Sequence, residues 1–140
     1  MYGPHLILDL YGCDKKILGD KNFVFDFLNT CPSKIGMTKI KGPDVMQWLE
    51  APNPDWGISG VVIIAESHIS IHTYPEKGFA VIDIFSCKNF NIEKAIKHIQ
   101  SVFKFKTCEK QLFFRGAHYP NSLEKSMEIV GTQRKKAERK

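Results

Sequence analysis

The order of apolar segments predicts an α+β fold, with a mostly antiparallel sheet, helices on one face, and a two-layer protomer pairing into a dimer. Three observations carry this expectation. Strand-like runs at Gly57–Ala65, Ser67–Tyr74 and Phe79–Phe85 follow one another with no helical period between them, which suits hairpins and not βαβ crossovers. Clear helical periodicity occurs only twice, before and after that block. A sheet needs both faces covered, and the chain has no third strong helix, so a second copy is the simplest cover for the other face.

His5–Tyr11 (HLILDLY) is apolar and β-prone, and Gly12-Cys13-Asp14 breaks it. Asp20 can cap a helix through about Asn29, with Phe23, Phe27 and Leu28 at helical spacing and Pro32 closing it. Residues 36–41 suit a short strand. Gly42 to Gly57 is the least regular stretch, with Pro43, Pro52 and Pro54 around Val45-Met46-Gln47-Trp48-Leu49, and reads as a loop containing a helical turn. After the three consecutive strands, Asn91 caps the clearest helix, where Ile92, Ala95, Ile96, Ile99 and Phe103 repeat at 3.6-residue spacing. Glu93 in its first turn, with Lys104 and Lys106 near its end, suits the helix dipole. A strand near Lys110–Phe114 follows, giving the order β-α-β-β-β-α-β.

A chain of 140 residues is expected to form one domain, here residues 1–120, followed by a basic tail at 121–140 that is partly helical or disordered. At that size a core can form without disulfides or structural metal. The net charge of +5 is concentrated at the end, because Gly131–Lys140 holds five basic residues and one acid. The other 130 residues carry 15 basic and 14 acidic side chains, too balanced to attract nucleic acid. Four cysteines, at 13, 31, 87 and 108, lack CxxC or metal-like spacing. No apolar run approaches the ~20 residues of a membrane span, and the N-terminus lacks signal-peptide pattern. The expectation is a cytoplasmic protein with reduced thiols, no membrane contact and no nucleic-acid partner.

Chemistry concentrates in Glu66-Ser67-His68-Ile69-Ser70-Ile71-His72-Thr73-Tyr74-Pro75. His68 and His72 have HxxxH spacing, which on a helix would suit zinc, but the intervening residues favour a strand and the HExxH glutamate is missing, so no metal is expected. A serine hydrolase would need a sharp GxSxG turn, which neither Gly57-Ile58-Ser59-Gly60 nor the Ser67 segment provides. A purely structural reading makes Ser67 and the histidines satisfied core polar groups. The remaining reading is self-cleavage. The Ser67 hydroxyl attacks the carbonyl of Glu66 to form an ester, and β-elimination then releases the upstream chain. That needs a donor for the oxyanion and a base for the serine α-proton, chemistry that Ser59 and His72 can supply.

Several segments, in order, resemble the small bacterial and archaeal S-adenosylmethionine decarboxylase proenzymes. They are His5-Leu6 with Tyr11-Gly12-Cys13-Asp14, Gly57 to Val62, Glu66-Ser67-His68 through Pro75-Glu76, Ala80 to Cys87, and Phe114-Arg115-Gly116. The resemblance covers about residues 5–116 and implies cleavage between Glu66 and Ser67. Ser67 would become a covalent pyruvoyl cofactor that forms a Schiff base with the substrate and serves as electron sink. His72 and Ser59 match the family's processing residues, Cys87 its proton donor and Glu76 its ribose-binding acid. Asp9 matches an acid near the site, and Ile69 and Tyr74 are further candidate substrate contacts. Tyr74 offers an aromatic wall for adenine and the sulfonium, with Trp48 or Trp56 as the second. The family's aromatic stretch before the GVSG-like segment is replaced here by Val45–Trp56, with Trp48 and Trp56 displaced. The implied reaction converts S-adenosylmethionine to its decarboxylated form, the aminopropyl donor for spermidine synthesis, in a homodimer of cleaved protomers. A pyruvoyl-dependent arginine or ornithine decarboxylase on the same scaffold, or an unprocessed non-catalytic relative, are the alternatives.

Overall fold

The structure is a computed structural model that describes residues 3–49, 56–119 and 123–138, with side chains described only from 127 onward in the last stretch. The element order is β1 (Gly3–Tyr11), α1 (Lys15–Leu18), α2 (Lys21–Lys34), β2 (Thr38–Trp48), β3 (Gly57–Ala65), β4 (Ser67–Tyr74), a 3-10 turn (Pro75–Lys77), β5 (Phe79–Ser86), α3 (Ile92–Phe103), β6 (Thr107–Arg115) and α4 (Leu123–Glu138). Six strands form one sheet in the order β2-β3-β4-β5-β1-β6, and every neighbouring pair is antiparallel. The α+β class and antiparallel sheet expected from the sequence are therefore observed.

Strand alternation divides the sheet into two chemically different faces. Leu6, Leu8, Leu10, Ile58, Val62, Ile64, Ile69, Ile71, Ile82 and Ile84 point to one side and are buried. They form a core with Val24, Phe27, Leu28 and Cys31 of α2 and Ala95, Ile99 and Phe103 of α3. Each such side chain contributes about 1.5–3 kcal/mol through removal from water. Phe27 meets Phe103 edge to face, 4.7 Å between ring centroids, which locks α2 against α3. At Gly60 a Cβ would come within 2.6 Å of Leu28 Cδ1, so this glycine lets α2 rest directly on β3.

The opposite face presents Met46, Val61, Ile63 and Phe113, which are 58%, 36%, 41% and 50% exposed, and none of the described helices covers it. Burial of the cysteine thiols on the covered side pushes Cys13 up to about 11 and Cys31 up to about 12, holding both as unreactive thiols. No helix among the described residues is long and apolar enough to cross a membrane.

Capping residues act as the sequence suggests. Asp20 accepts from Phe23 N at 3.1 Å and Asn91 from Lys94 N at 3.0 Å. Two local expectations are corrected. The helix begun by Asp20 runs through Pro32 to Lys34, because proline falls in its last turn, where only one helical amide is lost. Residues 38–48 form one long edge strand in place of a short strand followed by a helical turn. Gly42-Pro43 lies at register shifts between Lys39 and Asp44, and an edge strand tolerates a proline there. The rest of the supposed loop, Glu50 to Asp55 with Pro52, Asn53 and Pro54, lies outside the described residues. In the tail, α4 is helical, while residues 121, 122, 139 and 140 lie outside the described residues.

Candidate active site

Three groups of functional side chains lie at different levels along the strands. The first lies at the β3–β4 hairpin, where Glu66 is the exposed turn residue and Ser67 begins β4 with φ 120°. A non-glycine residue in that region stores of order 1–3 kcal/mol of backbone strain, at the residue whose hydroxyl would attack. The Glu66 carbonyl accepts a hydrogen bond from the Cys87 backbone amide at 3.3 Å. Pairing of Ser67 with Ser86 brings Cys87 there, and the turn is closed by Lys88 N donating to Ser86 Oγ at 3.0 Å. The Cys87 thiol itself is half-buried. A serine hydroxyl, the carbonyl that precedes it, a donor on that carbonyl's oxygen and a thiol are thus adjacent.

The second group sits mid-sheet. Ser59 and His72 are cross-strand partners in β3 and β4, with Ser59 Oγ 2.8 Å from His72 Nδ1. A depression of about 460 Å³ opens over them, lined by Asp44, Met46, Val61 and Ser70 among others. Asp9 occupies the same level on β1, since His72 pairs with Val81 and Val81 with Asp9. Glu109 faces Asp9 from β6.

At the far end, a smaller cavity of about 190 Å³ is bounded by Trp48, Gly57, Ser59, His72, Thr73 and Tyr74. Tyr74 stacks on Phe79, 5.6 Å between centroids, and Phe79 in turn leans on Tyr11 at 5.2 Å. Glu76, in the following turn, accepts a hydrogen bond from Trp56 Nε1 at 3.2 Å. Of the two tryptophans, Trp48 shares a cavity with Tyr74, and Trp56 contacts the acid instead.

Ile69 behaves differently from the other candidates. Its side chain is fully buried in the core on the helix-covered face, opposite to Ser59 and His72. The sequence reading also missed a cluster close to the hairpin. The His5, His68 and Phe85 rings pack together, with His5–Phe85 centroids 5.3 Å apart and Arg115 Cζ 4.3 Å over Phe85. Burial lowers the His5 pKa, opposed by the Asp83 charge and reinforced by Arg115 and His68. The parity of positions 5, 68, 85 and 113, all on one face once the register is known, is the signal that could have found it. Among the described residues no three metal-ligating side chains converge.

The hairpin and the Ser59–His72 pair are not in contact within one chain. Ser67 and His72 lie five positions apart along β4, or ~17 Å at 3.3–3.4 Å per residue.

Comparison with known proteins identifies the family. A profile described as S-adenosylmethionine decarboxylase matches residues 4–116. An S-adenosylmethionine decarboxylase proenzyme of Synechococcus sp. (strain WH7803) is 36% identical over 116 residues, covering 82% of this chain and 86% of its own length. The proenzyme of Pyrococcus horikoshii is 40% identical over 104 residues, 73% of this chain and 70% of that one. The proenzyme of Thermococcus onnurineus is 35% identical over 140 residues, covering 99% and 93%. The crystal structure of the adenosylmethionine decarboxylase from Aquifex aeolicus superimposes with a TM-score of 0.68 at 31% identity, covering 86% of this chain and 96% of that one. On fold, motif order and sequence together, the chain belongs to the S-adenosylmethionine decarboxylase family.

Proposed function

We propose that this chain is a self-processing, pyruvoyl-dependent decarboxylase that converts S-adenosylmethionine to decarboxylated S-adenosylmethionine and carbon dioxide. The observation that carries the proposal is the strained Ser67 next to a Glu66 carbonyl already held by the Cys87 amide. Attack of Ser67 Oγ on the Glu66 carbonyl carbon turns that oxygen into an oxyanion, and a preset amide donor stabilises it without reorganisation. Collapse breaks the C–N bond and leaves an ester between Glu66 and the Ser67 oxygen. Removal of the Ser67 α-proton then expels the Glu66 carboxylate and leaves a dehydroalanine. Addition of water with loss of ammonia completes a pyruvoyl end on the chain that begins at residue 67. When formed, the pyruvoyl group supplies the electron sink for decarboxylation.

The base for that proton is His72, with its Nδ1 held by Ser59. Because ~17 Å separates it from Ser67 in the same chain, we assign the role to His72 of the partner subunit. A homodimer stacked through the uncovered faces, with its two-fold axis crossing β4 midway between positions 67 and 72, would set each hairpin over the other chain's Ser59–His72 pair. The same pairing would bury Met46, Val61 and Ile63, which supports it energetically. The partner's slot between Trp48 and Tyr74 then lies about two strand residues beyond its His72, ~7 Å, a suitable distance for adenine. Gly57 lines that slot, Glu76 in the turn two residues after Tyr74 would accept the ribose hydroxyls, and Asp9, at the level of His72 on β1, would add negative charge near the sulfonium. Cys87 beside the new N-terminus is the proton donor to the product carbon.

Denaturing mass measurement of purified protein tests this directly. The expected result is two pieces, residues 1–66 and a 67–140 piece lacking a free α-amine, with carbon dioxide released from S-adenosylmethionine. A chain that stays intact on long incubation would refute the processing step. Carbon dioxide from arginine or ornithine in its place would reassign the substrate.

A further inference from the structure

We propose that Trp56 is a positioning residue for ribose recognition, holding the Glu76 carboxylate in one orientation from a seat provided by Gly19; this rests on the ribose-binding role of Glu76 proposed above. The indole is fixed at both ends. Its Nε1–H donates to Glu76 Oε1 at 3.2 Å. Its other end lies over Gly19, where an added Cβ would fall 3.2 Å from Trp56 Cη2 and 3.7 Å from Pro75 Cβ. Gly19 ends α1, and the Thr73 hydroxyl ties that end to the sheet by donating to Leu18 O at 2.8 Å while accepting from Ile58 N at 3.1 Å. The seat is therefore joined to β3 and β4, the strands that carry Ser59 and His72.

Glu76 is exposed and follows Pro75 in a short 3-10 turn. Without a partner its carboxylate would sample several rotamers, and a ligand would bear the entropy of selecting one. Indole N–H is a donor only, so it engages the carboxylate as acceptor, occupies one lone pair on Oε1, and leaves Oε2 to accept from a diol. Tyrosine or phenylalanine at position 56 could fill space but could not place a ring N–H there. The effect falls on substrate affinity and on discrimination between ribose and deoxyribose. It leaves self-cleavage untouched, because that step uses the hairpin, Ser59 and His72.

The test uses the processed enzyme with S-adenosylmethionine and with its 2′-deoxy and 3′-deoxy analogues. Trp56→Phe is expected to process normally and to raise KM about three- to tenfold with little change in kcat, as for loss of one hydrogen bond to a charged group at an exposed site. Its preference for ribose over deoxyribose should fall by the same factor. Gly19→Ala, which displaces the ring without altering its chemistry, should give a smaller shift in the same direction. In a Glu76→Ala background, Trp56→Phe should change nothing further, the coupling a double-mutant cycle detects. A wild-type enzyme that ignores the deoxy substitutions would overturn the ribose assignment of Glu76 and the positioning role with it. A wild-type enzyme that discriminates, together with Trp56→Phe discriminating equally well, would overturn the role of Trp56 alone.

Discussion

The two ends of the β4 segment differ in what they can do alone. At the hairpin end, Ser67 has its carbonyl target, an amide donor and the Cys87 thiol within one turn. At the other, His72 has a hydrogen-bonded serine and an open depression but no substrate peptide. Under the proposed mechanism each is half of a reaction centre, and the five-position step along β4 holds them apart. A straight strand cannot fold back on itself, so under the proposed mechanism the two halves meet only across two chains. The same alternation that puts Ile69 and Ile71 into the core delivers His68, Ser70 and His72 to the opposite side.

The largest expected effect breaks the hairpin half. Ser67→Ala should abolish cleavage, leaving one full-length band under denaturing conditions. Breaking the other half should slow cleavage without abolishing it. His72→Ala is expected to lose about 10²- to 10⁴-fold in rate, the range for a positioned base, and to accumulate an ester that hydroxylamine cuts between Glu66 and Ser67. Cys87→Ala should keep its backbone amide and so still cleave, yet turn over S-adenosylmethionine poorly and lose activity over repeated cycles. Normal, sustained turnover would exclude the thiol as proton donor.

A finer contrast uses neighbours on opposite faces of β3. Ile63→Lys, on the uncovered face, should shift sedimentation toward monomer and slow cleavage while the melting behaviour of the protomer is kept. Ile64→Ala, on the buried face, should cost about 2–5 kcal/mol of stability and leave the cleavage rate of folded protein unchanged.

Much of this division was legible beforehand. The β-branched runs, the Asp20 and Asn91 caps and the Glu66–Ser67 motif all report local preferences that the fold respects. Residues 42–48 did not read as strand because Gly42-Pro43-Asp44 has turn composition, and only an edge position beside β3 makes it acceptable. Pro32 does not end the helix at its own position because the penalty for proline depends on how much helix remains beyond it. Site chemistry was visible as residue types, whereas the direct Ser59–His72 contact, the Trp56–Glu76 bond and the Ile69 orientation depend on register, which a single sequence does not display.

The central claim is that one subunit's hairpin is processed by the other subunit's His72. Co-expression of differently tagged Ser67→Ala and His72→Ala chains tests it most directly. Neither variant alone should cleave at the wild-type rate. In mixed dimers the His72→Ala chain retains Ser67 and meets an intact His72 in its partner, so that chain alone should be cut, at near wild-type rate and only in the heterodimer. A mixed dimer in which the His72→Ala chain remains as slow as in its own homodimer would contradict the account.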